Sequence, residues 1–235
     1  MRAVATGLAV LLLLTACAPV APATPIGPVA LTGEQSERLA IARFRNFDAG
    51  VRSIEMTVPA DGGELALTGW FDYASGTGYA AVSSAGDAAG LIWWTHEVVA
   101  TRSIPVEVAP FPLPADDWES GPLDPSSTAL ANAVAVVASL GSDRPENPQL
   151  LAQTDAGWLR SDELDGVDVD VFVGPSGDSA TAAPVDSARR ARYWLDDSGT
   201  LLKFEFPQDS SAEWMTTLFG PASGIVIPIT VPGAP

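Results

Sequence analysis

One cysteine, one histidine and one lysine are all that this 235-residue chain holds of three chemically versatile side chains. A single cysteine excludes an intramolecular disulfide framework and any multi-cysteine metal site. A single histidine, His96, excludes histidine-rich zinc chemistry and allows at most one Ser-His-Asp arrangement. His96-Glu97 continues as Val98-Val99-Ala100, so there is no H-E-x-x-H motif, and no G-x-S-x-G elbow occurs. His96 therefore reads as a strand-end or packed histidine, and the chain as a non-enzyme with no cofactor and no metal. Basic residues are also scarce: 12 Lys+Arg stand against 29 Asp+Glu, for a formal charge of -17. That balance excludes nucleic acid as a partner, because phosphate recognition needs a basic surface. Charged residues reach 17%, below the roughly 25% of an average domain.

What is abundant is apolar and turn-forming. Hydrophobic residues make up 47% of the chain, and 21 glycines and 20 prolines punctuate it, the pattern of a strand-rich fold. The apolar run at residues 3–14 is too short to span a bilayer, which takes about 20 residues, but it fits the core of a signal peptide behind Met1-Arg2. Leu14-Thr15-Ala16-Cys17 follows at once and resembles the bacterial lipobox, in which the cysteine becomes the acylated first residue. An ordinary secretory signal that happens to contain a cysteine is the alternative. Acylation removes a thiol that would be a liability in an oxidising compartment. Two acyl chains give stable anchoring where one does not. The reading is a signal peptide at 1–16, acylated Cys17 with a proline-rich tether at 17–31, and one domain at 32–235. The mature chain would sit lipid-anchored at the extracytoplasmic face of the cell membrane.

Within the body, residues 32–49 predict a helix: Thr32 caps, acidic residues open it, Ala40, Ile41, Phe44 and Phe47 form an apolar face, and Gly50 ends it. From residue 51 the period becomes two. Arg52, Ile54, Met56 and Val58 share one side, and Leu65, Leu67, Gly69, Phe71 and Tyr73 share one side of the next strand. Turns at 60–63, 74–78 and 86–90 mark an antiparallel meander through about residue 104. Residues 105–125 read as a long proline-rich, acidic loop. Ser126-Ser127 can cap a nearly all-apolar helix at 128–140, with Leu130, Val134 and Val137 on one face. Strands are expected at 149–153, 157–163, 167–173, 189–195, 201–206 and 225–231, with 211–219 ambiguous.

Three clusters invite chemistry. Asp162, Glu163, Asp165, Asp168 and Asp170 tempt a calcium reading. Asp168 and Asp170 alternate with Val167, Val169 and Val171, however, so the solvated face of an amphipathic strand is the expectation. Arg189, Arg190 and Arg192 form a basic cluster, of which Arg190 and Arg192 can face a lipid phosphate or pair with local acids. Trp93 and Trp94 must point to opposite sides of their strand, burying both or leaving one at a rim.

The opening at residues 43–56, the stretch WLRSDELDGVDVDVFV at 158–173 and the hairpin ARYWLDDSGTLLKFEF at 191–206, behind a lipobox and tether, resemble the LppX/LprG-type bacterial lipoproteins of LolA-like fold. That resemblance implies an α+β architecture: a strongly curved antiparallel sheet, a half-barrel, with helices packed on its concave side and an apolar cavity between them. It also implies a lipid or glycolipid as ligand. Candidate cavity-lining residues are Ile54, Met56, Val58, Leu65, Leu67, Phe71, Val134 and Val137. The same eight residues can equally be solid core, which would fit an adaptor or regulator of an envelope protein partner.

Overall fold

Thr32 starts the first helix with a full capping box: its hydroxyl accepts from the Gln35 amide, and the Gln35 side chain accepts from the Thr32 amide. The computed structural model describes residues 27–60, 62–176, 189–208 and 213–230. Cys17 and the signal segment lie outside the described residues, as does most of the tether and of the linker expected at 174–186. Helix α1 (Gly33–Ala49) ends at Gly50, as its sequence signals. Its buried stripe is Ser36, Leu39, Ala40, Ala42 and Asn46, and the bulky Ile41, Phe44 and Phe47 are only half-buried. Small residues win the inner face because the helix lies close on what it covers. Gly199, at φ +79, has no side chain where Ile41 and the Arg38 carbonyl sit within 3.0 Å of a would-be Cβ.

The strands are β1 (Val29–Ala30), β2 (Val51–Ala60), β3 (Gly63–Asp72), β4 (Thr77–Ser84), β5 (Asp87–Trp94), β6 (Val98–Arg102), β7 (Glu119–Pro122), β8 (Gly157–Leu164), β9 (Val167–Val173), β10 (Arg192–Leu195), β11 (Leu201–Pro207) and β12 (Trp214–Pro221). They make one antiparallel sheet in the order β1-β8-β9-β10-β11-β12-β2-β3-β4-β5-β6-β7. β1 and β7 are its edges, so the sheet is not closed. Bulges at Val82/Ser83, Trp158/Arg160 and Trp194/Leu195 bend it locally.

The meander β2 to β7 runs out to one edge. The chain then returns through α2 (Ala129–Ala138) and α3 (Pro148–Leu151) to the opposite edge, begins β8, and works back until β12 pairs with β2. α2 therefore packs on β2, and α1 packs on β10, β11 and α3. Both helices contribute to one core with the residues of β2, β3, β5 and β9 to β12 that face them. Trp94 belongs to this core and occupies the space over Gly78, where any Cβ would collide with the indole at 2.2 Å.

The opposite face carries a second cluster around Tyr79, Leu91 and Trp93. The proline-rich segment expected as a long loop packs over it: Ala109 and Leu113 are buried there. Trp93 and Trp94 are thus both buried, on opposite faces. The same segment also supplies β7, an element its prolines hide.

Several expectations are corrected. The tether does not end at residue 31 as pure spacer, because Val29 and Ala30 pair with Trp158 and Gly157. Thr128, not Ser126 or Ser127, caps α2; the two serines turn about Asp124. Residues 149–153 are not a strand, because Asn147 caps and Pro148 opens the short helix α3. The described part of the strand expected at 225–231 is irregular and packs on the second cluster. The ambiguous stretch before it contains strand β12.

Candidate functional site

The eight residues expected to line a cavity converge on one face. Ile54, Met56, Val58, Leu67, Phe71, Val134 and Val137 are buried in the helix-side core, and Leu65 is half-buried against it. They pack with one another and with Leu195, Leu201, Phe204 and Met215 in one continuous cluster. Sequence patterning thus selects the right face, and the structure occupies it with side chains.

One polar device sits inside this core. Arg52 is buried, and among the described residues no carboxylate pairs with its guanidinium. It donates instead to Asn46 Oδ1 at 2.8 Å, Leu201 O at 3.0 Å and Gly220 O at 3.2 Å, and it lies over the Phe219 ring. Burial lowers its pKa, and Tyr73 and Asp196 oppose that. Asn46 in turn donates to Leu140 O, which ties α1, the end of α2 and the sheet together. Burial likewise raises the pKa of Tyr73, against the effect of Arg52.

The described cleft lies elsewhere, between α1, the end of α2, α3 and β10. Its volume is about 310 Å3, and Leu39, Ala42, Arg43, Ser139, Leu140, Glu146, Leu151, Pro175 and Tyr193 line it. None of the eight candidates is among them. The loop after α2 is stitched to α1 by the Ser142 amide donating to Arg43 O and the Glu146 amide donating to Ala40 O. Arg43 spreads across the rim, donating to Ser139 O at 3.0 Å, Gly141 O at 3.3 Å and Glu146 Oε1 at 3.1 Å. Tyr193 stacks edge-on to Phe204 at 5.0 Å. Its phenol is pushed up to about 12 by burial and by the Glu146 carboxylate, with Arg43 opposing.

The cleft is therefore amphipathic: an apolar floor of Leu39, Ala42, Leu140, Leu151 and the Tyr193 ring, with one ion pair at its edge. The Ser139 hydroxyl is committed to Val136 O at 2.6 Å. Such a site holds an apolar body with a polar end. The volume is near the lower limit of small-ligand sites, about 300 Å3. Sequence reasoning missed it because α3 was read as a strand, although Asn147-Pro148 is the available helix-start signal.

The other clusters are absorbed into structure. Asp170 does not face solvent: it pairs with Arg38 of α1 at 2.7 Å and accepts from Trp158 and Ser161, while Val169 and Val171 turn outward onto Trp194. Asp168 is exposed as expected, whereas Asp170, two residues on along the same face, lies under α1. Asp162 accepts from Trp194 Nε1 and Arg160. Among the described residues no group of three or more His, Cys, Asp or Glu is placed to hold a metal ion. Arg190 pairs with Asp155, and Arg192 pairs with Glu205 and lies over Trp214. His96 is exposed in the turn after β5, its ring against Gly76. Among the described residues no helix is long and apolar enough to cross a membrane.

No family model matches the chain, and no curated protein matches it. Among solved structures it is similar to an uncharacterised conserved protein of Thermus thermophilus, at 11% identity over 77% of this chain and 83% of that one, with a TM-score of 0.39. It is similar also to the Mycobacterium tuberculosis lipoprotein LppX, at 12% identity over 78% and 93%, with a TM-score of 0.44. A third is the Pseudomonas aeruginosa MucA/MucB complex, at 15% over 81% of this chain and 59% of that one, with a TM-score of 0.34. Likenesses this distant assign the chain neither ligand nor partner.

Proposed function

We propose that this protein is a lipoprotein of the bacterial envelope, anchored through acylated Cys17, whose half-barrel body binds a lipidic amphiphile without catalysis. The binding site in this reading is the cleft between α1, α3 and β10, not the space between the sheet and α2. The observation that carries it is the amphipathic lining: Leu39, Ala42, Leu140 and Leu151 as floor, with Arg43 at the rim. An alkyl chain sheltered there gains about 0.8 kcal/mol per CH2 removed from water. An anionic or zwitterionic end would compete with Glu146 for Arg43.

The test is mass spectrometry of organic extracts from the purified Cys17→Ser chain. An amphiphile near equimolar with protein is expected, and Ser139→Trp, at the exposed rim, should strip it without lowering the melting temperature. Repeated extraction of nothing would end the carrier reading. The alternative is an adaptor or regulator of an envelope protein, and the filled interior around Val134 and Val137 favours it. It gains if no lipid is found while crosslinking in intact cells repeatedly captures one and the same envelope protein.

A further inference from the structure

On the sheet face away from the helices, two segments lie over the Tyr79–Trp93 cluster: residues 104–115 and 221–230. They are pinned from beneath. The Tyr79 hydroxyl donates to Pro110 O at 3.0 Å, Trp93 Nε1 to Pro228 O at 3.0 Å, and Trp118 Nε1 to Pro114 O at 2.8 Å. Phe111 stacks on Trp70 and Tyr79 at 5.2 and 5.4 Å. Ala109, Leu113 and Ile227 point inward and satisfy the cluster.

That leaves exposed apolar side chains on the outer side of both segments. Val226 is 81% exposed, Ile229 70%, Val108 67% and Phe111 39%, and the first three are the most exposed large apolar side chains among the described residues. Across both segments the only charged side chain is Glu107, in a chain of net charge -17. The acids that follow, Asp116 and Asp117, pair with Arg102. Exposed apolar surface with a single charge, Glu107, is the signature of a partner-facing or membrane-facing patch.

We infer that this face, presented by Val108, Phe111, Val226 and Ile229, rests on the surface of the bilayer that holds the anchor; the inference rests on the anchored reading above. The tether argues for the occupant. Residues 18–28, between Cys17 and β1, reach at most about 40 Å, at about 3.6 Å per residue. A body of about 200 residues has a radius of gyration near 17 Å. The linker therefore keeps the body within reach of the membrane without choosing its orientation, and surface chemistry chooses. Acidic faces are repelled by anionic headgroups and lose hydration on contact. The face whose one charge is Glu107 inserts its apolar side chains shallowly, as interfacial segments do.

The experiment couples the Cys17 thiol of the mature chain to maleimide-bearing phosphatidylethanolamine in phosphatidylcholine vesicles and follows amide hydrogen exchange by mass spectrometry. Coupling replaces natural acylation, so failure of docking and failure of the anchored reading are read separately; the latter is tested by the mass of Cys17 in protein from its own cells. Several-fold slower exchange is expected in 106–113 and 225–230, relative to uncoupled protein mixed with plain vesicles. The protection should vanish in the Val108→Ser, Val226→Ser, Ile229→Ser variant at unchanged melting temperature. Phosphatidylglycerol should weaken it. No protection, protection confined to other segments, or protection that requires anionic lipid would each overturn the proposal. So would protection supplied by an added envelope protein and not by lipid, which would make the patch a protein interface.

Discussion

Arg52 shows how far one side chain constrains this fold. A guanidinium in an apolar core is costly unless every donor finds an acceptor, and here the acceptors are an amide and backbone carbonyls from α1, β11 and the end of β12. Replacing Arg52 with methionine keeps much of the volume but leaves Asn46 Oδ1 and two carbonyls without their donor. A loss on the order of 3 kcal/mol is expected in urea unfolding, and an unchanged midpoint would contradict the role assigned to it. Asp170 makes a pH prediction. Burial by itself raises its pKa, but hydrogen bonds from Trp158, Arg38 and Ser161 outweigh that, so its folded value is lowered. A depressed carboxyl stabilises the fold above its unfolded value of about 3.9 and loses that contribution as pH falls through the lower, folded value. Asp170→Asn should therefore flatten the acid limb of stability below about pH 4 while lowering stability at neutrality. An acid limb identical to that of the parent would show that the cluster is inert.

At the scale of elements, helix α1 was legible because its signals are local: a capping box, an acidic first turn and a terminal glycine. Thr32→Ala should cost about 1 kcal/mol, read as a shift of the thermal midpoint. The meander was legible for the same reason, since its turns are marked by Asp and Gly between alternating strands. α3 and the irregular segment after residue 221 were not. Four residues of helix carry too little periodicity to overrule an apolar run. Ile225 and Ile227 look like strand residues because they pack on Trp93's cluster, not because they pair. Gly78 is legible only in three dimensions, since the indole over it comes from β5. Gly78→Ala should cost roughly 1–3 kcal/mol by overpacking and shift the emission of Trp94. An alanine tolerated there without either effect would mean that the ring has room to move.

For the molecule as a whole, the charge balance sets solution behaviour. With 29 acids and 12 bases the folded body repels itself, and that repulsion is screened as the Debye length falls from about 30 Å at 0.01 M to about 10 Å at 0.1 M salt. The melting temperature should rise over that interval in sodium chloride. A flat or falling curve would mean that local ion pairs such as Arg38–Asp170 outweigh the global field. The same imbalance makes an outer patch with one acid conspicuous and gives the membrane-facing proposal its sign.

Amino-acid order by itself determined which residues leave water and with what period. Alternation on β2 and β3 and the apolar stripe of α2 follow from local geometry, so the inward set from Ile54 to Val137 could be named from the chain. Order also determined that no disulfide can form within one chain, because a single cysteine has no second to pair with. Only the tertiary structure decided whether those inward residues enclose a void or each other. It also placed a cleft of about 310 Å3 where residues 39, 140, 151 and 193 meet. The physical reason is that a cleft is a relation between surfaces far apart in sequence, set by how closely α1 and the return crossover settle on the sheet. No periodicity along the chain encodes that distance.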